Sequence, residues 1–198
     1  MHSRPPFVSL AVATLAIVVH LVPGASDWLQ FERGAVAGGE AWRWLTAHLT
    51  HFDANHLAWD AAALVILGWL CERESRARTA LTLFVSSFTI TAAVALWQPQ
   101  FATYRGLSGL DSALFGLLAI NLLRRPERTP RLVALVTLVG FAAKCLLEIS
   151  TDSTVFASGD TYAPVPLAHL VGLISGALVG AALRRDGLPS EPQKRSAI

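Results

Sequence analysis

"GLSGLDSALFGLLAINLL" (residues 106–123) contains one ionisable side chain, Asp111, in an otherwise largely apolar run. Its length approaches the ~20 apolar residues that cross a bilayer as a helix. At its start Ser108 sits between Gly106 and Gly109. Five more runs of this kind span Phe7–Val22, His56–Cys71, Thr79–Trp97, Leu132–Ile149 and Pro164–Leu183. Flanking Trp and Arg side chains extend the shorter ones by sitting at the interface. With 53% of 198 residues apolar and 15% charged, a soluble bundle of six such helices would lack polar surface. The runs predict an all-α, polytopic membrane protein with six transmembrane helices. Its membrane domain covers residues 1–183, followed by a polar, disordered cytoplasmic tail at 184–198.

Charge placement predicts the orientation. With the N-terminus inside, the cytoplasmic segments carry Arg4; Arg73, Arg76 and Arg78; Arg124, Arg125, Arg128 and Arg131; and Arg184, Arg185, Lys194 and Arg195. The outer loops carry Arg33, Arg43 and Arg105, and Lys144 lies inside the fifth run. This positive-inside bias places both termini in the cytoplasm. It accounts for the basic clusters without a nucleic-acid partner, so the partner surface expected is the bilayer itself. The first run lacks a basic start and a clear cleavage site, so it reads as a span rather than a removed signal. Cys71 falls at an inner helix end and Cys145 in the outer half of the fifth run, too far apart for a disulfide. The loop over residues 23–50 is rich in Gly and Trp and reads as an interfacial segment with an aromatic anchor.

Ionisable groups within spans are functional suspects. Here they are His20, His56, Asp60, Asp111, Lys144, Glu148 and His169. Lys144 and Glu148 are four apart, the spacing of an internal ion pair, and need no further role. His20 lies near the outer end of its run. The stretch "HLTHFDANHLAWD" (48–60) gathers His48, His51, His56 and Asp60. It has no HExxH and no nearby cysteine, so no metal or other cofactor is expected.

Runs two, four and six all travel inward, and His56, Ser108 and His169 each stand near the start of one. All three therefore lie in the outer part of the bilayer, roughly 5–10 Å down at ~1.5 Å per helical residue. Serine is a weak nucleophile until an imidazole takes its proton, and histidine titrates in the range where it can take and return one. "HLVGLISGALVG" (169–180) sets Gly172, Gly176 and Gly180 below His169 at helical spacing, and small residues four apart let membrane helices approach closely. Ser108 stands at a helix start, where unpaired backbone N–H groups can stabilise an oxyanion. "GLSGL" is not the GxSxG elbow of a strand–helix hydrolase, since position 110 is Leu. A proton pathway through His56, Asp60 and Asp111 competes less well, because the internal repeat common in transporters is missing.

These features together resemble the rhomboid family of intramembrane serine proteases. The resemblance rests on "GLSG" with Ser108, "HLVGLISG" with His169, the 48–60 stretch, and "EAWRW" (40–44), which looks like the family's Trp-Arg loop signature. It runs from Glu40 to Gly180. It implies a hydrolase with a Ser108–His169 dyad and no third acid, recessed in the inner (plasma) membrane and opening to the periplasmic side. His56 matches the histidine that helps form the oxyanion hole, beside Gly106 of the "GLSG" motif. Asp60 stands where many rhomboids carry an asparagine donor. An ionised Asp60 cannot donate; Asp60 would instead orient His56 through a hydrogen bond or be held protonated by burial. The short chain looks most like the rhombosortase branch, which implies single-span, membrane-anchored protein substrates with a C-terminal Gly-Gly plus anchor signal. The alternative is a catalytically inactive relative that binds membrane-protein clients. Asp111, one turn below Ser108, matches no family role.

Overall fold

The computed structural model describes residues 5–151, 153, 155 and 164–183. The tail assigned to 184–198 lies outside the described residues. Among the described residues nine α-helices follow in order: α1 (Phe7–Leu21), α2 (Ala25–Leu29), α3 (Arg33–Ala37), α4 (Arg43–Thr46), α5 (Ala54–Glu72), α6 (Arg76–Trp97), α7 (Ser108–Leu123), α8 (Arg128–Thr151) and α9 (Pro166–Ala182). Two-residue strands β1 (Phe31–Glu32) and β2 (Thr103–Tyr104) and a 3-10 turn at Ala47–Leu49 complete the described elements.

The six apolar runs correspond to α1 and α5–α9. Of these, α5, α6 and α8 are long and apolar enough to cross a membrane, at 19, 22 and 24 residues. The other three are apolar but shorter, with 15, 16 and 17 residues. Their starts follow local chemistry. Asp53 caps α5 by accepting from the His56 N–H at 2.8 Å, and Ser75 caps α6 by accepting from the Arg78 N–H. Pro166 opens α9, where its missing N–H costs no helical bond. Large apolar side chains cover the outside: Val136, Val139, Leu146 and Ile149 on α8, Phe84 on α6 and Ile66 on α5 are all exposed. A surface of that kind suits lipid rather than water.

At the centre, α7 lies against α9 with almost no side chain between them. A Cβ at Gly172 would run into the Gly109 carbonyl, one at Gly176 into the Ala113 carbonyl, and one at Gly116 into the Leu173 carbonyl. The glycine spacing seen in the sequence is thus the contact seam of the two helices. The hydroxyls of Ser86 on α6 and Ser175 on α9 bond at 2.7 Å and tie α6 to the same seam.

The segment expected as an interfacial loop is more ordered than its sequence suggests. It contains α2, α3, α4 and β1 and is pinned to the chain just before α7. β1 pairs antiparallel with β2, Phe31 opposite Tyr104. Arg33 donates to the carbonyls of Ala95, Gln98 and Phe101 at 2.7, 3.1 and 3.3 Å. Buried Arg43 donates to the carbonyls of Asp27 and Gln30 at 3.0 and 2.7 Å and to Glu40 at 2.7 Å. The Trp-Arg signature therefore serves as a loop clamp. Cys71 and Cys145 are both free thiols.

Candidate active site

Ser108 is the first residue of α7, and His169 stands in the first turn of α9. The close seam between those helices brings His169 Nε2 to 3.1 Å from Ser108 Oγ. That is a hydrogen-bond distance between residues 61 positions apart. The Ser108 carbonyl accepts from Ser112 Oγ one turn on, at 2.8 Å.

The entry to α7 is governed by Asp60. One of its oxygens, Oδ2, accepts from the N–H groups of Leu107 at 2.9 Å and Ser108 at 3.1 Å. The same oxygen lies 3.2 Å from both His51 Nε2 and His56 Nε2. This corrects the expectation that the N–H groups at the start of α7 point outward unengaged. A carboxylate at a helix N-terminus meets both the orphan donors and the positive end of the helix dipole, and Asp60 takes that place. It also contacts His56, the arrangement expected for an acid that orients the imidazole. Gly106 makes the turn possible. Its φ of +116° belongs to glycine, and a Cβ there would lie 3.0 Å from the His56 ring and 3.3 Å from Asp60 Oδ2.

His51, His56 and Asp60 offer three ligand-type atoms within 4.8 Å of one another. Such a triple can take a cation, but here the Asp60 oxygen is already satisfied by its protein donors. Next to this cluster, in the loop before α5, burial pushes the His51 imidazole pKa down despite its bond to Asp60. Burial likewise lowers His48 to about 4. His48 Nε2 sits 3.1 Å from the Ser87 carbonyl and 3.2 Å from Thr91 Oγ1, and its ring meets Tyr104 edge-on. The Tyr104 phenol is pushed up, first by burial and then by the charges of Asp60 and Asp111.

A cavity of about 420 Å³ opens beside Ser108 and His169. Trp59, Ala63, Ile66, Phe115 and Phe141 give it apolar walls, and His56, Asp60, Asp111, Ser112, Lys144 and Glu148 are its other polar lining. Asp111 is buried there, and its Oδ1 has no hydrogen-bond partner among the described residues.

Two features were not anticipated. Lys144 and Glu148 do form the expected ion pair, with Nζ 2.8 Å from both carboxylate oxygens. Glu148 Oε2 also lies 3.3 Å from His169 Nδ1, so an acid stands behind the histidine where the resemblance implied none. The signal was available in the orientation expected from the charge bias, under which run five would travel outward and Glu148 would stand near its outer end, level with the starts of runs four and six. The second feature is the double use of Asp60, which no local spacing encodes.

Apolar helices with a serine and a histidine in contact between them define a class: a membrane protein with a candidate intramembrane hydrolytic site. The family model of the Rhomboid domain matches residues 38–186, about three quarters of the chain. The protein belongs to the rhomboid family. A search of curated proteins finds no match to it.

Proposed function

We propose that this protein is an intramembrane serine endopeptidase that cleaves a peptide bond in or near the transmembrane anchor of a membrane-protein substrate. The observation that carries the reading is the 3.1 Å contact between Ser108 Oγ and His169 Nε2 across two apposed apolar helices. Ser108 Oγ attacks the scissile carbonyl while its proton passes to His169 Nε2. The tetrahedral intermediate collapses, the C–N bond breaks, and the Nε2 proton goes to the leaving amine. His169 then takes a proton from water as that water attacks the acyl-enzyme, and the Nε2 proton returns to Ser108 Oγ as the ester C–O bond breaks, freeing the serine and the carboxyl product.

The developing oxyanion needs donors at the start of α7. The Ser108 N–H and the His56 ring are the candidates at that place, and Asp60 Oδ2 engages both in the resting structure. Substrate must therefore draw these donors away from Asp60 or share them. The family resemblance supports a C-terminal Gly-Gly plus anchor signal as the substrate, in the rhombosortase manner. The six apolar runs support six spans, the resemblance supports the inner membrane, and the charge bias supports both termini in the cytoplasm and a site that opens to the periplasm.

The test is cleavage of a tagged Gly-Gly anchor reporter in membranes containing the full chain. The parent should cut it, and Ser108→Ala and His169→Ala should each leave it intact. Equal cutting by either variant would end the proposal.

One observation favours a second reading, an inert client-binding relative: a carboxylate already holds the Leu107 and Ser108 N–H groups. Under that reading the parent retains the reporter uncut in a pull-down, and Ser108→Ala changes nothing.

A further inference from the structure

We infer that Glu148 is a positioning residue for catalysis, holding His169 in the tautomer whose proton is on Nδ1. The inference rests on the reading of Ser108 and His169 as nucleophile and base. A neutral imidazole can accept the Ser108 proton at Nε2 only if its own proton is on Nδ1. Two groups compete for Nδ1. Glu148 Oε2 lies at 3.3 Å and Lys144 Nζ at 3.4 Å. An ionised carboxylate only accepts, and an ammonium only donates. Were Lys144 to donate to Nδ1, the ring proton would sit on Nε2 and point at the serine oxygen, and the base would be lost.

The two distances to Nδ1 are nearly equal, and it is the ion pair that favours the carboxylate. Lys144 makes its short bonds, both 2.8 Å, to the oxygens of Glu148. It thereby compensates the charge of an acid whose side chain is only 2% exposed. Glu148 keeps acceptor capacity beside Nδ1, while two of the three Lys144 donors are spent on the carboxylate and the third stands 3.4 Å from Nδ1. Other charged or titratable groups line the same cavity, namely Asp111 on α7 and His56 and Asp60 on α5. Among the described residues, none of them bonds the His169 ring. When the ring becomes an imidazolium in the reaction, the same carboxylate stabilises it without taking the proton. The acid comes from α8 and the histidine from α9, so the relay is assembled from three helices, α7, α9 and α8.

The test uses the full chain in proteoliposomes with the Gly-Gly anchor reporter. Glu148→Gln should lower kcat by roughly 10²–10⁴-fold with KM within about threefold, because the amide can present a donor to Nδ1. Glu148→Asp, which keeps the acceptor on a shorter stem, should recover part of that loss. The double variant Lys144→Met/Glu148→Gln removes the ion pair whole, leaves no lone ammonium in the membrane, and should show the same fall in kcat. Nitrogen-15 NMR of ring-labelled histidine, assigned against His169→Ala, should report a protonated Nδ1 in the parent and its loss in Glu148→Gln. A packing role would leave that signal unmoved. Parent-like kcat in the double variant, or an Nε2-protonated ring in the parent, overturns the inference. If Ser108→Ala still cleaves, the protease reading fails instead. If Ser108→Ala is dead while both Glu148→Gln variants run at the parent rate, Glu148 alone loses its role.

Discussion

Gly172→Ala adds one methyl group at the place where α7 and α9 come closest. The new Cβ would meet the Gly109 carbonyl oxygen well inside contact distance, with Ser112 Cβ at 3.2 Å. Backbone cannot rotate away as a flexible side chain would, and ordinary contact requires ~3.5 Å. The helices must therefore part by about 1 Å or more at this level. Gly172 lies three residues beyond His169, and Gly109 directly follows Ser108, so the strain falls on the reacting pair. Their 3.1 Å contact would open to roughly 4 Å, outside hydrogen-bond range. A displacement of that size costs on the order of 10²-fold in rate, and overpacking costs about 1–3 kcal/mol of stability. The assay is kcat/KM on the anchor reporter in proteoliposomes, with thermal unfolding in detergent measured separately. Gly140→Ala on α8 is the control, since its Cβ would meet nothing within 4 Å. Cleavage by Gly172→Ala within twofold of the parent would refute the reasoning, because the seam would then not set the serine–histidine distance.

Three other outcomes are expected. Gly106→Ala must accept a φ of +116° and a Cβ 3.0 Å from the His56 ring, and should lose about 1–3 kcal/mol in a denaturation assay; an unchanged midpoint would contradict this. Arg43→Lys cannot reproduce the two carbonyl bonds and the Glu40 bond from one planar group, and limited proteolysis should cut residues 23–50 faster than in the parent. His48 is buried in neutral form, lowered to about 4 chiefly by burial. The unfolded chain protonates at the ordinary imidazole value, so His48's contribution is complete above about pH 6.5 and is lost as pH falls toward 4. The loss is on the order of 3 kcal/mol, His51 adds to it in the same direction, and His48→Gln should flatten the fall of Tm between pH 7 and pH 4.

The six apolar helices were legible because each is a run of apolar residues with a clear start and stop. Asp53, Ser75 and Pro166 stand at or next to three of those starts. The α7–α9 seam was legible because small residues at helical spacing have few other uses in apolar helices. The short helices of residues 25–46 were not, since four or five residues cannot hold a helix by propensity. Arg33, Arg43 and the β1–β2 ribbon hold them through contacts distant in sequence. Ser108 and His169 could be paired from depth alone. The fourfold use of the Asp60 oxygen could not, because three of its four donors come from residues nine or more positions away. Glu148 was obscured by its own neighbour. Lys144 at four-residue spacing gives a sufficient local reason for the acid, and periodicity says nothing about a histidine on the next helix.

Whether Ser108 is an activated nucleophile can be measured without knowing the substrate. A fluorophosphonate probe added to the full chain in membranes should form an adduct that mass spectrometry maps to Ser108, and both Ser108→Ala and His169→Ala should abolish it. A folded parent chain that takes up no label at Ser108, or a His169→Ala variant that labels as fast as the parent, would contradict the pairing of hydroxyl and imidazole.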